Sequence, residues 1–178
     1  MKTTSVLFFT LITFLISSAS YSQKNDSLIY SNGIYSADLK IATSSNDTNE
    51  NIRIEGMLVY QVKKEKVVMA LYMPDLEGWM FDIISSKLSI DVDIDTETLK
   101  FRADPDHIAV DFSAFGFDIP ADDLLKFNNS KKVILNMILI NGANGEKKEV
   151  PVKIDLKPEK TDVYRNFYKI ILKEKKNK

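Results

Sequence analysis

Cysteine does not occur anywhere in the 178 residues. That single absence removes disulfides, thiolate metal sites, cysteine nucleophiles and iron–sulfur clusters, and with them lipid attachment at a lipoprotein cysteine. Histidine is nearly absent: His107 is the only one, so a zinc site would have to be completed by carboxylates. No glycine-rich phosphate loop, dinucleotide fingerprint or Gly-x-Ser-x-Gly elbow is present. No repeat at a solenoid or propeller period is visible. Neither sign of charge dominates, with 24 basic against 25 acidic residues, so no bulk attraction to nucleic acid or to an anionic membrane is expected.

What is present begins with an address. Met1-Lys2 gives a positive start, Val6 to Ile16 is apolar apart from two threonines, and Ser17 to Ser22 supplies small residues. This pattern predicts a secretory signal peptide over residues 1–22, cut after Ser22, with a cut after Ala19 as the alternative. The apolar run is shorter than the roughly 20 residues that span a bilayer. No later stretch is apolar enough to do so, and no stable membrane insertion is expected once the leader is gone. Removing 22 residues leaves 156, enough for one domain with a real core. A thiol-free exported chain of this size fits a bacterial periplasmic or extracellular protein better than a disulfide-stapled animal one. Three Asn-x-Ser/Thr triplets begin at Asn25, Asn46 and Asn128 and carry meaning only in a eukaryotic secretory pathway.

Period-2 patterning dominates the remainder. Val133 to Ile140 is an apolar run broken only by Asn136, which predicts a strand buried on both faces. Asn141 to Gly145 reverses the chain, and Val150, Val152, Ile154 and Leu156 alternate with polar residues, completing a hairpin. Pro151 places that second strand at a sheet edge or beside a bulge. Leu28 to Ile41 suggests one or two short strands, and Thr43 to Asn51 reads as loop. Ile52 to Val62 and Val67 to Met73 form a second hairpin, with Gly56 marking a bulge or a close approach. Trp79 to Ile84 is ambiguous between strand and helical turn. Leu88 to Ile94 and Leu99 to Ala103 continue a meander, and Asp104-Pro105-Asp106 reads as a turn. The parity of Ile108, Val110 and Phe112 differs from that of Phe115, Phe117 and Ile119, so a bulge or a crossing between sheets is expected at Ser113-Ala114. Ala121 to Phe127 reads as a short helix. Val163, Tyr164, Phe167, Tyr168 and Ile171 make an amphipathic helical stripe, capped at Thr161 or Asp162 and ended by lysines. The fold class expected is mostly β: an antiparallel β-sandwich or barrel over residues 23–160, with a short connecting helix and a C-terminal amphipathic helix over 161–178 packed on it.

Candidate chemistry is thin. Asp91, Asp93 and Asp95 start as a calcium loop starts, but the sixth position is Thr96 rather than glycine and the twelfth is Arg102 rather than glutamate. Alternation with Leu88 and Ile90 makes these acids the wet face of a strand. His107, with Asp106 or Asp111, can be drawn as a base beside a serine, yet at the start of a strand it reads as a surface or turn residue. Asp75, Glu77, Asp82 and Asp104 can be drawn as a carboxylate pair. Trp79, Phe115 and Phe117, with Phe81, can form a ring platform for a sugar or the mouth of an apolar-ligand cavity, against the plainer reading of core packing. Tyr164 and Tyr168 with the terminal lysines can touch an anionic surface, against the plainer reading of a packed helix with a solvated tail. No catalytic, metal or cofactor residue is assigned and no cofactor is expected. The leading expectation is a secreted or periplasmic non-catalytic binding or envelope-accessory domain, with a polysaccharide, protein or surface as partner. The alternatives are a small carboxylate-based hydrolase and a barrel-type carrier of an apolar ligand, the latter lined by Phe115, Phe117, Met69 and Met73.

Overall fold

A computed structural model describes residues 28–39, 41–45, 52–74, 78–109, 112–142, 148–157 and 162–177. Expectations that fall on residues 1–22, 46–51, 143–147, Asp75, Glu77, Val110, Asp111 or Thr161 lie outside them. The strands are Ile29–Ser31 (β1), Ile34–Leu39 (β2), Ala42–Ser45 (β3), Glu55–Gln61 (β4), Lys66–Tyr72 (β5), Trp79–Phe81 (β6), Ser89–Ile94 (β7), Glu97–Ile108 (β8), Ala114–Asp118 (β9), Val133–Asn141 (β10) and Lys148–Asp155 (β11). Two helices, Asp123–Asn129 (α1) and Asp162–Lys176 (α2), complete the described residues. The protein is mostly antiparallel sheet, 54% strand, and the sheet does not close into a barrel.

The strand order is β1-β2-β4-β5-β9-β8-β7-β10-β11-β3, with β6 beside β10. β8 organises it. Its first half pairs with β7, from Glu97 opposite Ile94 to Arg102 opposite Ser89. Its second half pairs with β9, Ala103 opposite Phe117 and Ile108 opposite Phe115. One strand therefore belongs to two sheets, A (β1, β2, β4, β5, β9) and B (β3, β6, β7, β10, β11), which fold over it. Between the two pairs, Asp104 to His107 stand opposite Gly116 alone. Such a bulge bends and twists its strand, which lets β8 pass from one sheet to the other.

This corrects two expectations. Asp104-Pro105-Asp106 is not a turn between strands but an interruption within one. The parity change at Ser113-Ala114 is a chain reversal, closed by the Ala109 N–H to the Ala114 carbonyl at 2.8 Å, with Phe112 at a φ of 55°. The crossing between sheets lies upstream, at 103–108.

The facing layers meet through rings. Phe81 of sheet B meets Phe115 of sheet A edge to face at 4.8 Å, and Phe101 lies 5.5 Å from Phe117. Phe127 of α1 joins Phe101 to Tyr164 of α2, at 5.9 and 5.4 Å. Each pair of this kind adds about 0.5–1.5 kcal/mol beyond the area it buries. The amphipathic stripe of α2 behaves as its spacing predicts: Tyr164, Phe167 and Ile171 are buried. The Tyr164 hydroxyl donates to the Leu156 carbonyl.

Several local expectations change. Ala42–Ser45 is an edge strand rather than loop, paired with β11. Trp79–Phe81 is strand, paired with β10. The ladder runs through Gly56 without a bulge; an added Cβ there would lie 3.3 Å from both Leu39 and Leu71, so the glycine marks a close approach. Pro151 pairs with Ile138 in a ladder that runs without a register shift, and β11 lies between β10 and β3, so the expected edge strand or bulge is not found there. β10 is not buried on both faces. Val133, Leu135, Met137 and Leu139 face the core, while Asn136 and Ile138 are exposed, because no described element covers the outer side of sheet B there.

Candidate functional site

The sheet-crossing bulge places charged groups on the outer face of sheet A. In β5 and β9 the core takes Val67, Met69, Leu71, Phe115 and Phe117, so Lys66, Val68, Gly116 and Asp118 point the other way. The bulge arches over Gly116. An added Cβ at that glycine would lie 2.9 Å from Val68 and 3.0 Å from His107, so only glycine lets the bulge sit this close. The Asp106 N–H donates to Asp104 Oδ1 at 2.9 Å and fixes the turn of the bulge. Asp104 Oδ2 then accepts from Lys66 Nζ and lies 3.1 Å from His107 Nδ1. Lys66 also pairs with Asp118 Oδ2 at 2.9 Å.

His107 is therefore not a surface residue: it is 4% exposed. Its acidic neighbour is Asp104, not Asp106 or Asp111. The reason is the bulge itself, which folds the polar stretch back onto the sheet instead of out into solvent. Burial lowers the imidazole pKa, and the charge of Asp104 recovers only part of the loss. For Asp104, burial acts upward, but the hydrogen bond from Lys66 and the N–H of Asp106 hold the carboxyl below its ordinary value. For Lys66, burial acts downward, but its bonds to Asp104 and Asp118 raise it overall. A carboxyl held ionised and a lysine held protonated are poor proton exchangers at neutral pH.

The outer face of sheet B carries a different feature, an open recess of about 280 Å³. It is lined by Asp93, Asp95, Glu97, Thr98, Asn136 and Lys153, among others. Its acids are tied in place. Asp93 accepts from Thr98 at 2.7 Å and from Asn136 at 2.9 Å. Asp95 Oδ1 accepts the N–H groups of Lys131 and Lys132, both at 2.9 Å. Glu97 lies 3.5 Å from Lys126. Asp93 and Asp95 thus tie the hairpin to β10 and the residues leading into it, while Asp91 lies 3.7 Å from Lys100 within the hairpin. Among the described residues no group of three or more His, Asp or Glu is arranged to hold a metal.

The aromatic candidates are in the core. Trp79 is 6% exposed, and Phe115 and Phe117 are buried and stacked 6.2 Å apart. They offer no ring face at the surface, and with Met69 and Met73 they belong to the same packed cluster. Asp82 accepts from the Ser85 N–H at 3.1 Å. Sequence reasoning missed Lys66 and Asp118 because nothing local marks them; only strand register brings them to Asp104 and His107. No described helix is long and apolar enough to cross a membrane.

No family model matches this sequence, and no curated protein matches it. Among solved structures, it is similar to invasion associated protein B from Bartonella henselae, at 9% identity and a TM-score of 0.41. The likeness covers 78% of this chain and 94% of that one. At that level no property passes from one to the other.

Proposed function

We propose that this chain is an exported, non-catalytic binding or envelope-accessory domain, periplasmic or extracellular, that engages a polysaccharide or protein partner through the recess on sheet B. One observation carries the reading. The recess presents hydroxyl, amide, carboxylate and ammonium groups from adjacent strands, and its acids are preset by hydrogen bonds to their neighbours. Fixed polar groups in a shallow concavity lower the ordering cost of binding a polar partner. The leader-like residues 1–22 support the export half. The test is a glycan-array and pull-down screen of the purified protein against its Asn136→Ala and Lys153→Glu variants. A partner retained by the parent and lost by both variants is expected; a partner retained equally by all three sinks the assignment of the recess.

A carboxylate hydrolase keeps one foothold, at the edge of sheet A. Desolvation pushes the Asp38 carboxyl above its ordinary range, and the charge of Glu55 adds to it. Paired acids with one raised value are what such chemistry uses. Glu55, however, is engaged by Arg53 and by the Tyr72 hydroxyl. Turnover of a chromogenic glycoside that disappears in Glu55→Gln would favour this reading over binding alone.

A further inference from the structure

Exposed apolar side chains on this chain are not scattered. Of the six large ones exposed among the described residues, Leu28, Ile29, Tyr30 and Leu172 lie on β1, its flank or α2. β1 is the terminal strand of sheet A and is exposed throughout, Tyr30 by 60%. Tyr35 of β2 joins β1 to α2. Its ring stands 4.5 Å from that of Tyr30, and its hydroxyl donates to Glu174 Oε1 at 3.0 Å. β1 and the last turn of α2 therefore share one surface at the margin of sheet A.

The charges of that surface are one-sided. Leu28 to Ala37 contains no Asp, Glu, Lys or Arg. The last two turns of α2 carry Lys169, Lys173, Lys175 and Lys176 against Glu174 alone, and Glu174 is engaged by Tyr35. The turn that holds Lys63 and Lys64 abuts the turn between β1 and β2, the Val62 N–H donating to the Gly33 carbonyl at 3.0 Å. Over the whole chain bases and acids nearly cancel, 24 against 25, so this excess is local.

Apolar groups beside ammonium groups select the partner. Nucleic acid or another soluble polyanion would pair the lysines and leave Ile29, Tyr30 and Leu172 with nothing apolar to meet. An apolar protein groove would cover those three and strip water from the lysines without supplying a counter-charge. The headgroup layer of an anionic bilayer takes both: acyl chains begin where phosphates end, tyrosine rings suit that boundary, and each nearby lysine is attracted. We propose that β1 and the last two turns of α2 form a docking surface for an anionic lipid bilayer. Ile29, Tyr30 and Leu172 enter the boundary between headgroups and acyl chains, and the α2 lysines sit at the phosphates. The contact is peripheral, since no described helix is long and apolar enough to cross a membrane, and an apolar anchor with a polybasic patch is the pairing such attachment needs. No residue of β1 or α2 lines the recess of sheet B, so the two surfaces stand or fall separately.

The test is co-sedimentation with vesicles of phosphatidylcholine containing about one-third phosphatidylglycerol, against vesicles of phosphatidylcholine alone. The protein is taken as the processed chain beginning at Gln23, which keeps every described strand and helix and removes the apolar run from Val6 to Ile16. Binding to the anionic vesicles is expected, at least about tenfold weaker to the neutral ones and weakened by salt. Lys173→Glu/Lys176→Glu and, separately, Ile29→Ser/Tyr30→Ser should each weaken it about tenfold. Lys100→Glu/Lys148→Glu makes the same change in net charge on sheet B and should leave it within about twofold. All six positions are exposed, and an unchanged melting curve certifies each variant as folded. No binding to the anionic vesicles overturns the proposal; a solution dimer that Ile29→Ser/Tyr30→Ser dissolves would then name a second copy as the occupant. Binding weakened equally by the sheet B pair overturns the location. Binding that Ile29→Ser/Tyr30→Ser leaves intact overturns the bilayer, and retention on heparin would then point to a soluble polyanion.

Discussion

β4 and β10 exchange the environments their sequences announce. β4 (Glu-Gly-Met-Leu-Val-Tyr-Gln) mixes charge, glycine and a terminal amide, yet from Gly56 to Gln61 it is buried on both faces. β10 is almost continuously apolar, yet its outer face is half open, with Ile138 37% exposed. Apolar composition states what a face tolerates; what lies across from it decides whether it is covered. Substitution separates the two. Val59→Asp places a carboxylate where the side chain is 4% exposed and is expected to cost about 3 kcal/mol or more, read as a shift in the urea midpoint. Ile138→Asp should stay within about 1 kcal/mol. Equal losses would break the comparison, since both outer faces would then be covered alike.

Within sheet A, the bulge and the plain ladder offer a second contrast. Gly116→Ala forces a Cβ to 2.9 Å from Val68 and 3.0 Å from His107, so the bulge must lift, at roughly 1–3 kcal/mol. Gly56→Ala meets side chains at 3.3 Å and should cost less, about 1 kcal/mol. The reverse order, measured by chemical denaturation, would mean that the bulge is soft and does not fix His107.

These glycines also mark how far the sequence could be read. Period-2 alternation placed β7, β11 and the hairpins, since a half-buried strand writes its two faces into its residues. The stripe of α2 was equally plain from Tyr164, Phe167 and Ile171. The sheet crossing is legible only as a disturbance of parity, which points to Ser113-Ala114 rather than to 103–108, because a bulge and a reversal both shift parity. The charged cluster was not legible at all. Lys66, Asp104, His107 and Asp118 come from three strands, and only register makes them neighbours. Sequence spacing carries faces; it does not carry which strands will meet.

Acid should act on sheet A before it acts on sheet B. His107 is held below 6.5 in the folded chain, so on acidification the unfolded chain takes up the proton first. The stability it contributes is present at neutral pH and is lost as pH falls from about 6.5 through the folded value. Asp104, held below 3.8, keeps its contribution until pH falls beneath that value. Asp38, held above 3.8, acts in the opposite sense: it favours the fold at low pH and loses that effect as pH rises through its folded value. The melting temperature should therefore decline between pH 7 and 5 in the parent, and His107→Gln should flatten that segment. A slope that persists in His107→Gln would remove the cluster from the account of pH dependence.

The smallest effect belongs to the acids that look most like a metal loop. Asp91 and Lys100 lie 3.7 Å apart with side chains 57% and 70% exposed, where water screens the pair and side-chain entropy offsets much of the attraction. Lys100→Ala should change stability by no more than about 0.5 kcal/mol. Asp93 and Asp95 spend their oxygens on Thr98, Asn136 and two backbone N–H groups, so calcium would have to displace bonds already made before it gained a ligand. Millimolar calcium and its removal by chelator should leave the melting curve where it is. A calcium-dependent rise that vanishes in Asp93→Asn would show these oxygens to be looser than their bonds imply, and the recess of sheet B would have to be read as an ion site.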